Sequence, residues 1–92
     1  MNFIYEEDRI FLQDENKKVI AEVNFPAIGE QTVNIRRTFV DDSLRGQGVA
    51  GKLLEAAAAY LTEQNKKVVP TCSYAVKWFE KHPEYERIVD KK

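Results

Sequence analysis

Apolar and polar residues alternate along the first forty positions and fall into a helical rhythm after them. From Lys18 to Phe25, the residues Val19, Ala21, Val23 and Phe25 share one face and Glu22 and Asn24 the other, the period of a half-buried strand. Thr32 to Val40 alternates again, with Val33, Ile35, Arg37 and Phe39 on one face and Thr32, Asn34, Arg36 and Thr38 on the other. Arg9 to Gln13 is a shorter apolar run, and Phe3 to Tyr5 reads as a further edge strand. Asp14-Glu15-Asn16 and Pro26 to Glu30 are a turn and a loop. Connections this short predict an antiparallel meander.

The period changes after Asp41-Asp42. From Gly48 onward Val49, Leu53, Leu54, Ala57, Ala58 and Leu61 fall on one stripe, while Lys52, Glu55, Thr62 and Glu63 lie off it. Asn65 and Lys66-Lys67 suit the end of that helix. Lys67 to Thr71 is a short β-rich run. A second helix is predicted from Ser73, taken as its N-cap, to about Lys81, where His82-Pro83 stops it. In the tail Glu84 to Lys92, Tyr85 and Ile88 are expected to pack back. The order β-β-β-β-α-β-α predicts an α+β fold. Its sheet is mostly antiparallel and twisted, with a central helix after a glycine-rich turn and a second, C-terminal helix.

The 92 residues are expected to form one domain, 1–92, with a modest core. A hydrophobic share of 43% and a charged share of 32% belong to a globular chain. The net charge of -1 provides no broad field for nucleic acid or an acidic membrane, so neither is expected as a partner. The longest apolar stretch, Ala56 to Leu61, is too short to cross a bilayer. The first residues show no basic stretch followed by a long apolar run, so a reduced, cytoplasmic setting is the expectation. Cys72 is the one cysteine and His82 the one histidine, too few for an internal disulfide or a metal cluster.

The chemistry concentrates in Ser43-Leu44-Arg45-Gly46-Gln47-Gly48-Val49-Ala50-Gly51-Lys52. It follows a strand and opens an amphipathic helix, whose first N–H groups have no internal acceptor and lie at the positive end of the dipole. Phosphate is their natural guest, and a tight strand-to-helix turn with no ligand is the plainer reading. Gly46-x-Gly48-x-x-Gly51 matches the dinucleotide fingerprint by letter, but no acidic residue follows in Lys66 to Thr71 to hold a ribose. Gly46-x-x-x-x-Gly51-Lys52 begins a P-loop, but Leu53 stands where a magnesium-binding hydroxyl is needed.

Arg45-x-x-Gly48-x-Ala50 resembles the coenzyme A motif of the GCN5-related N-acetyltransferases. With Pro70 to Ala75 and Phe79 to Tyr85, the whole chain is similar to the minimal acetyltransferase-like members of that class. The resemblance implies a small fold of this type and acetyl-coenzyme A as cosubstrate. It implies that N–H groups from about Gln47 to Gly51 hold the pyrophosphate, with Arg45, Gly46 and Lys52 beside them. It implies that the strand at Thr38, Phe39 and Val40 pairs with the pantetheine arm in a splay against Lys67 to Thr71, which brings the thioester near Cys72. Tyr74 falls where related enzymes place a cofactor-contacting or thiol-protonating residue; packing at the helix start is its plain alternative. Larger members carry helices between the first strands and a final hairpin. Tyr5 to Arg9 is too short for such helices, so the acceptor side is expected to be open.

Acetyl transfer to an amine needs a nucleophile, a place for the oxyanion and an acid for the leaving thiolate. Cys72, just before a helix start, can be a thiolate nucleophile; the alternative is a small buried apolar residue. His82 fits a helix end as readily as a base, Trp78 and Phe79 fit the core, and Glu22 is either a base or a solvated carboxylate. Arg36 and Arg37 should point to opposite faces of one strand. The leading reading is an acetyl-coenzyme A-dependent N-acetyltransferase acting on a small amine or protein acceptor. The alternative is a coenzyme A-binding module without efficient catalysis, a sensor or interaction partner.

Overall fold

A computed structural model describes residues 2–90. Lys91 and Lys92, the end of the predicted tail, lie outside them. Six strands and two α-helices follow in the order β1 (Ile4–Glu6), β2 (Arg9–Gln13), β3 (Val19–Asn24), β4 (Thr32–Ile35), β5 (Arg37–Val40), α1 (Val49–Glu63), β6 (Lys67–Pro70) and α2 (Ser73–Glu80). Short 3-10 segments cover Asp42–Leu44 and Pro83–Ile88. This is the α+β fold predicted, with helix α1 crossing the sheet after the glycine-rich turn.

Strands β1, β2, β3 and β5 pair antiparallel in that order. Strand β4 pairs instead with β6, and in parallel. The single strand expected over Thr32 to Val40 is therefore two, divided at Arg36. The register gives the reason. Ala27 faces Val33 and Asn24 faces Arg37, three steps on one strand against four on the other. One extra residue has been inserted, a β-bulge that puts Arg36 and Arg37 both opposite Asn24. The Arg36 N–H donates to Asn24 O at 3.2 Å.

The bulge also inverts the alternation, since side chains change face with each residue. Val33 and Ile35 are buried, as expected. Beyond the bulge, Thr38 and Val40 lie opposite the buried Val23 and Ala21 and share their face. Arg37 and Phe39 turn outward, opposite to the predicted pattern. Arg36 and Arg37 are both exposed and flank the bulge; they do not alternate across a regular strand.

Ile10, Ala21, Val23, Phe25, Val33 and Ile35 present the sheet's apolar face to helix α1. Its predicted stripe, Val49, Leu53, Leu54, Ala57, Ala58 and Leu61, is the buried face. Removing one of these leucine side chains costs roughly 2–5 kcal/mol. Asn65 ends the run in the left-handed region at φ 58, where asparagine is tolerated. The cap of α2 falls one residue earlier than expected: Cys72, not Ser73, is the N-cap. Ile88 is buried and Tyr85 packs against the core, and Asp90 N–H donates to Val68 O.

Candidate functional site

Asp41 follows β5, caps the 3-10 turn and accepts from the backbone N–H and hydroxyl of Ser43 at 3.0 and 2.7 Å. Those two bonds hold its carboxyl below the usual range and fix the 3-10 turn. Two glycines then turn the chain into α1: Gly46 at φ 83 and Gly48, the N-cap, at φ 69. A side chain is disfavoured there by backbone strain alone, because an added Cβ would meet nothing within 4 Å at either site. Gly51 differs. It is helical, and its Cβ would stand 3.8 Å from the Tyr74 hydroxyl and 4.0 Å from Trp78 Nε1, ordinary contacts. It marks where α1 and α2 approach, and it sets the Tyr74 hydroxyl beside the start of α1.

The Gln47 N–H, expected among the phosphate donors, closes the turn onto Leu44 O at 3.3 Å. At the cap, the Lys52 N–H donates to Gly48 O at 3.1 Å. The amides of Gly48, Val49, Ala50 and Gly51 thus form the opening of the helix, where no intrahelical acceptor is available. Arg45 is at the rim: its side chain is 80% exposed and pairs with Asp42 at 2.8 Å.

The second half of the site follows from the bulge. Ile35 O accepts from the N–H groups of both Thr71 and Cys72, and the β4–β6 pairing ends there. Strand β5 continues alone on that side. Asp41 N–H donates to Ile20 O, so in an antiparallel ladder the next bonded pair is Phe39 with Glu22. The backbone groups of Thr38 and Val40 therefore point away from β3 into the gap. Of the three residues expected to offer free backbone, Phe39 is engaged in the sheet.

Cys72 sits across this gap. Its sulfur is 3.7 Å from the Thr38 hydroxyl and half-buried. Burial pushes the thiol up. The Ala75 N–H, the Thr38 hydroxyl and the N–H groups of Tyr74 and Thr38 outweigh it, and the thiol lies below its ordinary value. No helix amide closes a full cap hydrogen bond on the sulfur; the first amides of α2 act through their dipoles. Thr38 was expected only as a pantetheine-pairing position. Its second role was invisible because the bulge decides which way it faces.

The other candidates lie apart. His82 stacks on Trp78 with ring centroids 3.9 Å apart and holds Trp78 O through Nδ1 at 2.7 Å, so it ties down the end of α2. Trp78 and Phe79 are core, packed edge to face. Glu22 is on the outer face of the sheet, paired with Arg9 at 3.3 Å. Among the described residues, no three of His, Cys, Asp and Glu gather into a metal site, and no helix is long and apolar enough to cross a membrane.

A family model described as GCN5-related N-acetyl-transferase matches residues 9–88. The solution structure of a GCN5-like candidate N-acetyltransferase from Staphylococcus aureus is similar to this chain at 32% identity and a TM-score of 0.78, covering 99% of this chain and 89% of that one. The GNAT family N-acetyltransferase YhbS of Escherichia coli, solved in complex with CoA, is 31% identical with a TM-score of 0.57, covering 67% of this chain and 38% of that one. Protein NATD1 of Xenopus tropicalis is 36% identical over 56 residues, 61% of this chain and 51% of that protein. The chain spans about half the length of the curated relatives it matches.

Proposed function

Because the chain belongs to the GCN5-related N-acetyltransferase family, we propose that it transfers an acetyl group from acetyl-coenzyme A to an amine. The observation that carries this reading is a coincidence of two openings. The amides at the start of α1 have no helical acceptor, the backbone groups of Thr38 and Val40 point away from β3, and Cys72 lies 3.7 Å from Thr38. An anion fits the first opening, and an extended amide-bearing chain fits the second, as an added strand would. Coenzyme A has both parts.

In this reading Gly48 to Gly51 bind the pyrophosphate, Arg45 and Lys52 lie at its rim, and Thr38 and Val40 pair with pantetheine. The Cys72 thiolate attacks the thioester carbonyl carbon and forms a new carbon–sulfur bond. The tetrahedral oxyanion collapses, the original carbon–sulfur bond breaks and coenzyme A leaves as its thiolate. The Tyr74 hydroxyl, beside Gly51 at the start of α1, contacts the cofactor in this reading. An unprotonated amine then attacks the carbonyl carbon of acetyl-Cys72, the carbon–sulfur bond to Cys72 breaks and restores its thiolate, and the proton that the amine loses neutralises the coenzyme A thiolate. The depressed thiol favours the first step.

Incubation with acetyl-coenzyme A should add an acetyl mass that is labile to hydroxylamine and absent in Cys72→Ala, which still binds coenzyme A. Undiminished transfer by Cys72→Ala to an identified amine would mean direct transfer instead. Binding without any acetyl transfer would favour the cofactor-binding module.

A further inference from the structure

A cleft of about 310 Å³ lies on another part of α2, between that helix, the end of β6 and the C-terminal 3-10 segment. Pro70, Val76, Phe79 and Val89 wall it, and Glu80 and Glu86 stand among them. Of the segments flanking the coenzyme A gap, only Pro70 at the end of β6 also lines it. Its volume is at the lower end of what small-ligand sites occupy, roughly 300–1,000 Å³.

Among the described residues the charged side chains of the lining are carboxylates, and Glu86 already has a partner. Lys77 and Lys81, the neighbouring cations on α2, do not line the cleft. No cation pairs with Glu80 among the described residues. Val76 is 36% exposed although it faces other apolar residues across the cleft, while Phe79 behind it is 7% exposed. An exposed aliphatic wall beside an unpaired carboxylate complements one kind of guest, an ammonium group on an apolar stem. The stem covers Val76 and Phe79, and the ammonium meets Glu80 where the side of the cleft lowers the local dielectric.

We propose that this cleft is a binding site for a small alkylammonium ligand, separate from the coenzyme A gap. The site does not depend on acetyl transfer, and its test is run without coenzyme A. The full chain is titrated with n-hexylamine, n-hexanol and n-hexanoate while amide resonances and the fluorescence of Trp78 are followed. Trp78, the one tryptophan, packs edge to face on Phe79 at 5.1 Å and reports occupancy of the cleft.

Hexylamine should shift Val76, Phe79 and Val89 saturably, bind at least fivefold more tightly than hexanol, and leave hexanoate without a saturable effect. Glu80→Gln, at an exposed position that should not disturb folding, should abolish the preference for amine over alcohol. Val76→Phe should fill the cleft and weaken all binding. Equal binding of the three probes, a preference that survives Glu80→Gln, or shifts confined to Gly48 to Gly51 and Thr38 would overturn the proposal. Failure here would leave acetyl-Cys72 formation untouched, so the two readings fail separately.

Discussion

The turn at Gly46 to Gly51 and the bulge at Arg36 do the same thing by opposite means. Each presents backbone groups that secondary structure leaves unpartnered. At the turn, a helix begins, and glycine at φ 83 and φ 69 permits the approach. At the bulge, a strand changes partner, from β6 before Arg36 to β3 alone after it, with no glycine and no left-handed residue. The first opening is written into residue types and the second into register. Substitutions at the first should therefore be felt strongly, and substitutions of the bulge residue itself weakly.

The largest expected effect is at Gly48. A valine there must hold the left-handed conformation, at a cost of about 1–3 kcal/mol in stability. It also places a branched side chain where pyrophosphate should lie. Loss of two charge-assisted hydrogen bonds, roughly 1.5 kcal/mol each, weakens coenzyme A binding about a hundredfold. Arg36→Gly should change affinity less than about threefold, well under 1.4 kcal/mol, because pairing and not side chain makes the gap. Calorimetry on both variants checks this, and a large loss in Arg36→Gly would break the comparison.

Thr38→Val tests the strand side without altering shape. The Cys72 thiol is held below its ordinary value against the effect of burial, partly by the Thr38 hydroxyl. Alkylation by iodoacetamide should therefore rise with pH through a midpoint below that of free cysteine, about 8.5. Removing the hydroxyl should move that midpoint up and slow alkylation severalfold at neutral pH. The linkage has a sign as well. A depressed folded value means the thiolate contributes stability above the unfolded pKa, and that contribution is lost as pH falls through the folded one. A midpoint unchanged in Thr38→Val would remove Thr38 from the site.

Most of the fold was legible. Strand β3, the stripe of α1 and the stop at Pro83 follow from period and from proline. The halves of Thr32 to Val40 were not. Alternation over nine residues matches a regular strand, and a bulge differs from it only in what each residue faces across the ladder. That one inserted residue carried Thr38 and Val40 inward and Phe39 outward. Residue preferences also placed the α2 cap at Ser73, whereas Cys72 occupies it with no side-chain cap bond. The turn's glycines were read as one set, yet only Gly46 and Gly48 need glycine's backbone freedom.

Gly51 sharpens that last point. Alanine there makes ordinary contacts with Tyr74 and Trp78 and gains helix propensity, up to about 1 kcal/mol. A rise in melting temperature with affinity lowered a few-fold would separate helix stability from ligand approach. The smallest effect is expected at Arg45, whose exposed pair with Asp42 is worth about 0–1 kcal/mol. Arg45→Gln should leave stability nearly unchanged and weaken coenzyme A modestly, less so at high salt.

The most direct measurement is an amide-resolved NMR titration of the full chain with coenzyme A. The expected result is a set of saturable shifts on Gly48 to Gly51 together with Thr38 and Val40, the two openings responding as one site. Shifts on the turn alone would remove the strand edge from the site. Shifts centred on the outer sheet face, at Glu22 and its neighbours, would contradict the proposed coenzyme A site altogether.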